Sequence, residues 1–89
     1  MITKSFKLTN RNWHSLLDNV QLSADTIYCI QPNKSSLFFY QGELKPTKDD
    51  FGIGVDPSGI LKFKYSRGGN YYIRILDPEN TVITITEAL

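Results

Sequence analysis

Cys29 and His14 are the two side chains in this sequence whose types most readily do chemistry. Held together, they would make a nucleophile and its base. The structural reading is the stronger one for each. Cys29 lies in Thr26–Ile30, a run of β-branched and aromatic residues, with no helix N-terminus or glycine-rich turn beside it to activate a thiol. It reads as a small buried hydrophobe. His14 reads as a boundary or surface residue. Asp49, Asp50 and Asp56 are the candidate cation ligands, but their spacing is not that of an EF-hand loop. They and the remaining acids, Asp18, Asp25, Glu43, Asp77, Glu79 and Glu87, fall mostly in turns and read as solvated. Gly52-x-Gly54 lacks the helix and further glycine of a dinucleotide loop. The sequence therefore predicts no catalytic residue, no metal site and no cofactor.

Size narrows the classes further. The chain has 89 residues, enough for one domain, 1–89. So small a domain is marginal in stability unless something supports it. A single cysteine excludes an internal disulfide framework, and Cys29 with His14 is too few for a structural zinc. Self-assembly is the support left open. Ten Lys and Arg stand against nine Asp and Glu, without a basic run, so nucleic acid is an unfavoured partner. No stretch is long and apolar enough to span a membrane, and Met1–Phe6 lacks the apolar core of a secretory signal. The expected compartment is a cytoplasm, with Cys29 reduced.

The elements that would position these groups are strands. Ile2–Leu8 alternates, with Phe6 and Leu8 on one face. Thr26–Ile30 is stopped by Pro32-Asn33, and Ser36–Tyr40 follows, with Pro32–Ser35 as a hairpin loop between them. Asp49–Pro57 reads as a short irregular strand or extended loop. Ile60–Tyr65 alternates most cleanly: Leu61, Phe63 and Tyr65 face one way, while Lys62 and Lys64 face solvent and guard an edge. Ser66–Asn70 is a tight connection whose glycines can take positive φ. In Tyr71–Leu76, the residues Tyr71, Ile73 and Ile75 share one face and Tyr72, Arg74 and Leu76 the other. Asp77–Asn80 is a turn, and Thr81–Thr86 the last strand. Ile60–Thr86 reads as a three-strand meander. Over residues 9–19 the pattern predicts one or two helical turns, with a loop as the alternative. Thr9 or Asn10 would be the N-cap, and Trp13, Leu16 and Leu17 the apolar stripe. The expected class is all-β: one small β-sandwich of about six to eight strands, jelly-roll-like or barrel-like, with a short N-terminal helix.

Aromatics leave a choice open. Phe38, Phe39, Tyr40, Tyr65, Tyr71 and Tyr72 lie near Lys62, Lys64, Arg67 and Arg74. On a sheet such a mixture can hold single-stranded nucleic acid, as an OB-type fold does. Alternation puts about half of them in the core. The rest suit a protein interface equally well. Tyr72, Arg74 and Leu76 are the interface candidates, because a face carrying Tyr, Arg and Leu is neither clean core nor clean solvent face. The competing reading makes Tyr72 and Leu76 core, with Arg74 snorkelling at its margin.

One order of segments carries a resemblance. Tyr28-Cys29-Ile30-Gln31 is followed by Lys45-Pro46-Thr47, then Tyr72-Ile73-Arg74, then Val82-Ile83-Thr84-Ile85-Thr86-Glu87. Over residues 26–87 this resembles small virion structural proteins of tailed phages, of the head-decoration, cement or fibre-associated kind. Tyr71-Tyr72 stands where that pattern usually has a Trp. The resemblance implies a non-enzymatic structural or assembly protein of a phage or prophage particle, acting through protein–protein contacts. It also implies a homo-oligomer, often a trimer, with other virion or host proteins as partners. Its location would be the virion, assembled in the bacterial cytoplasm. The alternatives are a small inhibitor or immunity-type binding protein and an OB-like single-strand binder.

Overall fold

A computed structural model of the chain describes residues 3–47, 52–77 and 81–88. The alternation in the sequence becomes strands β1 (Thr3–Lys7), β2 (His14–Ser15), β3 (Thr26–Pro32), β4 (Leu37–Gln41), β5 (Ile53–Val55), β6 (Leu61–Tyr65), β7 (Tyr71–Ile75) and β8 (Val82–Glu87). They form two four-stranded antiparallel sheets, ordered β1-β8-β3-β6 and β2-β7-β4-β5. The chain is folded back on itself about its middle. Thr3 pairs with Thr86, His14 with Ile73, Thr26 with Tyr65 and Leu37 with Val55. This long hairpin is rolled up so that β8 also pairs with β3, and β7 with β4. The nested pairing and these two strand orders define a jelly roll, the double-sheet answer to the edge-strand problem. The protein is an all-β sandwich.

Apolar residues at alternate positions explain why both sheets close on each other. Tyr28 and Ile30 of β3 and Ile83 and Ile85 of β8 face Leu37 and Phe39 of β4 and Tyr71, Ile73 and Ile75 of β7. Leu8 and Leu16 join the same cluster. Five aromatics meet between the sheets. The Phe63 ring centroid lies 4.9 Å from Phe39, 5.7 Å from Tyr71 and 6.0 Å from Tyr28, and Tyr65 lies 5.4 Å from Tyr71.

Two expected pairings are corrected. Pro32–Ser35 does not close a hairpin, since β3 and β4 belong to different sheets. Nor does the chain from Ile60 to Thr86 form a meander: β6 pairs with β3, β7 with β2 and β4, and β8 with β1 and β3. The connections are arches. Sheets pack about 10 Å apart, and a link of four or five residues crosses that gap as easily as it reverses within a sheet. The 66–70 link does contain the expected glycine turn, closed by the Gly69 N–H on the Ser66 carbonyl with Gly68 at φ 80°. β3 also runs through Pro32, whose ring is buried and whose carbonyl accepts the Ser58 N–H at 2.9 Å.

The expected helix over 9–19 is corrected too. Strand β2 and a single 3-10 turn, Leu16–Asp18, stand there. Trp13 and Leu16 are both buried, but only Leu16 belongs to the core cluster, while Leu17 is exposed. The stripe that suggested a helix is two separate contacts on opposite faces of the chain.

Candidate protein interface

The outer faces of the two sheets differ in chemistry. On the β1-β8-β3-β6 sheet, Thr3 pairs with Thr86 and Ser5 with Thr84, and their hydroxyls hydrogen-bond at 3.4 and 3.2 Å. Cys29 lies in the same row, beside Thr86 and opposite Lys62. This is a hydroxyl-rich face with lysines at its margins. Cys29 is therefore half-buried on an outer face, which corrects its expected place in the core. The cause is register: Tyr28 and Ile30 take the inward positions on either side of it. His14 belongs to the other sheet, and its Nε2 lies 2.9 Å from the Asn10 Oδ1. The cysteine and the histidine are not brought together.

The β2-β7-β4-β5 sheet carries aromatics outside. Inward positions of β4 and β7 are filled by Leu37, Phe39, Tyr71, Ile73 and Ile75. Phe38, Tyr40, Tyr72 and Arg74 consequently face away from the core. Tyr40 stands opposite Tyr72, and Phe38 opposite Arg74. Glycines let these rings lie low on the sheet. Gly54 pairs with Phe38, and a methyl on Gly54 would touch the Phe38 ring at 3.4 Å. A methyl on Gly42 would meet the Tyr40 ring. Phe38, Tyr40 and Tyr72 are each half-buried. Of the six aromatics in question, Phe39, Tyr65 and Tyr71 turn inward and Phe38, Tyr40 and Tyr72 outward.

The three interface candidates take different places. Tyr72 is at the centre of the aromatic face. Arg74 is only 7% exposed, in a shallow cleft with Trp13, Arg11, Asn12 and the segment Lys45–Thr47. Leu76 lies one residue beyond β7 and is exposed. Its N–H is held by the Ser36 carbonyl at 3.2 Å and the Ser35 hydroxyl at 3.1 Å. Phe38 and Tyr40, grouped from sequence with the aromatics that could suit an interface, complete the face, and Trp13 is buried beside it. The signal for the first two was present in the alternation of β4. Trp13 had none, because its neighbours read as a helix.

Charge around the cleft is positive, from Arg11, Lys45 and Arg74. His14, next to Trp13 in the chain, feels it. Burial and the Lys45 ammonium hold its imidazole below the usual pKa of 6.5, against a smaller opposing pull from Asp18. Among the described residues no three His, Cys, Asp or Glu side chains gather as a metal site would require, and no helix is long and apolar enough to cross a membrane. Asp49 and Asp50, weighed above as cation ligands, lie outside the described residues, as does most of the turn at 77–80. Comparison of the chain with protein-family models, with curated proteins and with solved structures gives no match in any of the three.

Proposed function

We propose that this chain is a non-enzymatic assembly protein of a phage or prophage particle, which associates with further copies of itself through the outer face of the β2-β7-β4-β5 sheet. The observation that carries the reading is the asymmetry of the sandwich. One outer face is rich in hydroxyls, with Ile27 exposed among them, whereas the other presents Phe38, Tyr40 and Tyr72 lying low over glycines. Tyrosine on a flat, half-buried patch is typical of protein contacts, because it gives large area for little conformational entropy.

Edges of the hydroxyl-rich sheet favour face-to-face association. β6 carries Lys62 and Lys64 outward, and β1 carries Lys4 on its inward side, opposite Ile85. Charges placed this way oppose pairing of an edge with another chain. Association by the aromatic face needs no such pairing. Size points the same way. A standard interface takes about 800 Å² from each partner. That is a modest share of the 5455 Å² this chain exposes, and covering it would support a small core with no internal cross-link. Jelly rolls serve in capsids, lectins and cupins alike, so fold alone does not select the role. The aromatic face and the order of segments that resembles small virion proteins are what support this one.

Light scattering over a concentration series tests this. The expected result is a defined oligomer of the 10.2 kDa chain, and a monomer at every concentration overturns the proposal.

A further inference from the structure

A second feature lies beside the edge strand β1 and does not depend on the assembly reading. A cleft of about 340 Å³ opens between the inner side of β1 and the segment 20–23 that leads into β3. Val20, Leu22 and Ile85 stand on its apolar side, and Lys4, Gln21, Ser23 and Tyr28 bring polar atoms to it. This volume is within the range of small-molecule sites, which combine apolar walls with a few placed polar groups.

Two of these polar residues, Lys4 and Tyr28, have protons to donate. Lys4 is opposite Ile85, so its stem leaves the edge strand on the core side of the sheet. Its ammonium reaches the Gln21 carbonyl at 3.5 Å, a long contact that engages one proton of three at most. Tyr28 is 95% buried, being 5% exposed. Its hydroxyl oxygen accepts the Ser23 N–H at 2.7 Å. Tyr71 shows what a completed version of this arrangement looks like. The Tyr71 hydroxyl accepts the N–H of Ser66, also five residues upstream, at 3.0 Å, and donates to the Lys64 carbonyl at 3.1 Å. Tyr28 makes the first of these bonds and has no counterpart to the second: its proton goes to no described residue. The Tyr28 hydroxyl therefore has a proton to offer an acceptor in the cleft whose wall it forms.

Glu87 is the nearest acid by register. It pairs with Tyr28 on the same side of β8 as Ile85, but it is not part of the cleft wall and makes no ion pair with Lys4. One ammonium and one hydroxyl donor above an apolar wall match a monoanion with an aliphatic body. A phosphate dianion would call for more positive charge. We infer that the cleft between Lys4, Tyr28 and the 20–23 segment binds a small aliphatic carboxylate. Its head would lie between the Lys4 ammonium and the Tyr28 hydroxyl, and its chain along Val20, Leu22 and Ile85.

Methyl NMR of the intact chain, titrated with sodium octanoate, tests the site. Octan-1-ol and inorganic phosphate serve as comparison ligands. Octanoate should shift the Val20, Leu22 and Ile85 methyls saturably. Octanol and phosphate should bind at least tenfold more weakly. Lys4 is exposed, so Lys4→Met should keep the dispersed spectrum of the folded chain and lose octanoate affinity at least tenfold. Tyr28→Phe should lose it several-fold. Any one of three results overturns the inference: no saturable shift at those methyls, equal affinity for octanol, or undiminished binding by Lys4→Met.

Discussion

Tyr40 and Tyr72 stand directly opposite one another across β4 and β7, on the side of the sandwich that faces away from the core. Each is flanked in sequence by core residues: Phe39 beside Tyr40, and Tyr71 and Ile73 on either side of Tyr72. The same alternation that buries Phe39 and Tyr71 fixes this outer pair. Cross-strand aromatic pairs contribute roughly 0.2–1 kcal/mol to a sheet. A pair left half-open can do this and still offer surface to another chain.

Tyr71 holds an arch together. Its hydroxyl bonds both the Ser66 N–H and the Lys64 carbonyl, joining the start of β7 to the end of β6 in the opposite sheet. Tyr71→Phe keeps the ring contacts and removes both bonds. Urea denaturation should show a loss of about 1–3 kcal/mol with an unchanged slope. Tyr72→Phe, on the outer face, should cost less than half as much.

Ser35 performs a similar task at the other arch. This side chain is 3% exposed and accepts the N–H groups of Leu76 at 3.1 Å and Asp77 at 2.7 Å. In Ser35→Ala the Leu76 N–H keeps the Ser36 carbonyl, while the Asp77 N–H loses this acceptor. The expected cost is about 1–3 kcal/mol by the same measurement. Amide exchange at Asp77 should accelerate well beyond that at Leu76.

His14 gives the fold a pH dependence whose sign follows from its surroundings. Its folded pKa is lowered, by burial first and by Lys45 second. As pH falls below about 6.5, the unfolded chain takes up this proton before the folded one does. The contribution is fully present above that pH and is lost on acidification through the depressed folded value. His14→Gln should lose less stability than the wild type between pH 7.5 and 5.5, measured as the change in urea midpoint. An equal loss in both proteins would remove His14 as the cause.

Much of this was legible in the residues. The period of two in Leu61–Tyr65 and in Tyr71–Ile75 gave the strands and their buried faces, because one inward row of apolar side chains is what a sandwich strand requires. Lys62 and Lys64 on an edge were readable for the same reason. Pairing was not. A short glycine turn such as 66–70 serves a hairpin or an arch, and only the competition among all strands for partners decides which. Trp13 and Leu16 misled because three residues separate them, the spacing of a helix face. Tertiary packing instead draws each to a different side of β2. On β7 the outward turn of Tyr72 was legible and the burial of Arg74 was not, since its cover comes from 11–13 and 45–47, far away in sequence.

Edge protection makes its own prediction. Lys62 and Lys64 are the outward side chains of β6, the last strand of its sheet. Replacing both with valine raises β propensity and removes the charge that discourages pairing. Turbidity at 37 °C should rise with time in Lys62→Val/Lys64→Val and stay flat in the wild type.

Sedimentation velocity on three proteins, the wild type, Tyr72→Glu and Lys64→Glu, tests the central claim most directly. A charge at Tyr72 lies in the middle of the proposed contact, while one at Lys64 lies on the opposite sheet. The wild type and Lys64→Glu should sediment as an oligomer, and Tyr72→Glu as a folded monomer, with self-affinity lowered at least tenfold, or about 1.4 kcal/mol. A wild-type monomer, or a Tyr72→Glu protein that sediments as the wild-type oligomer does, would contradict the claim.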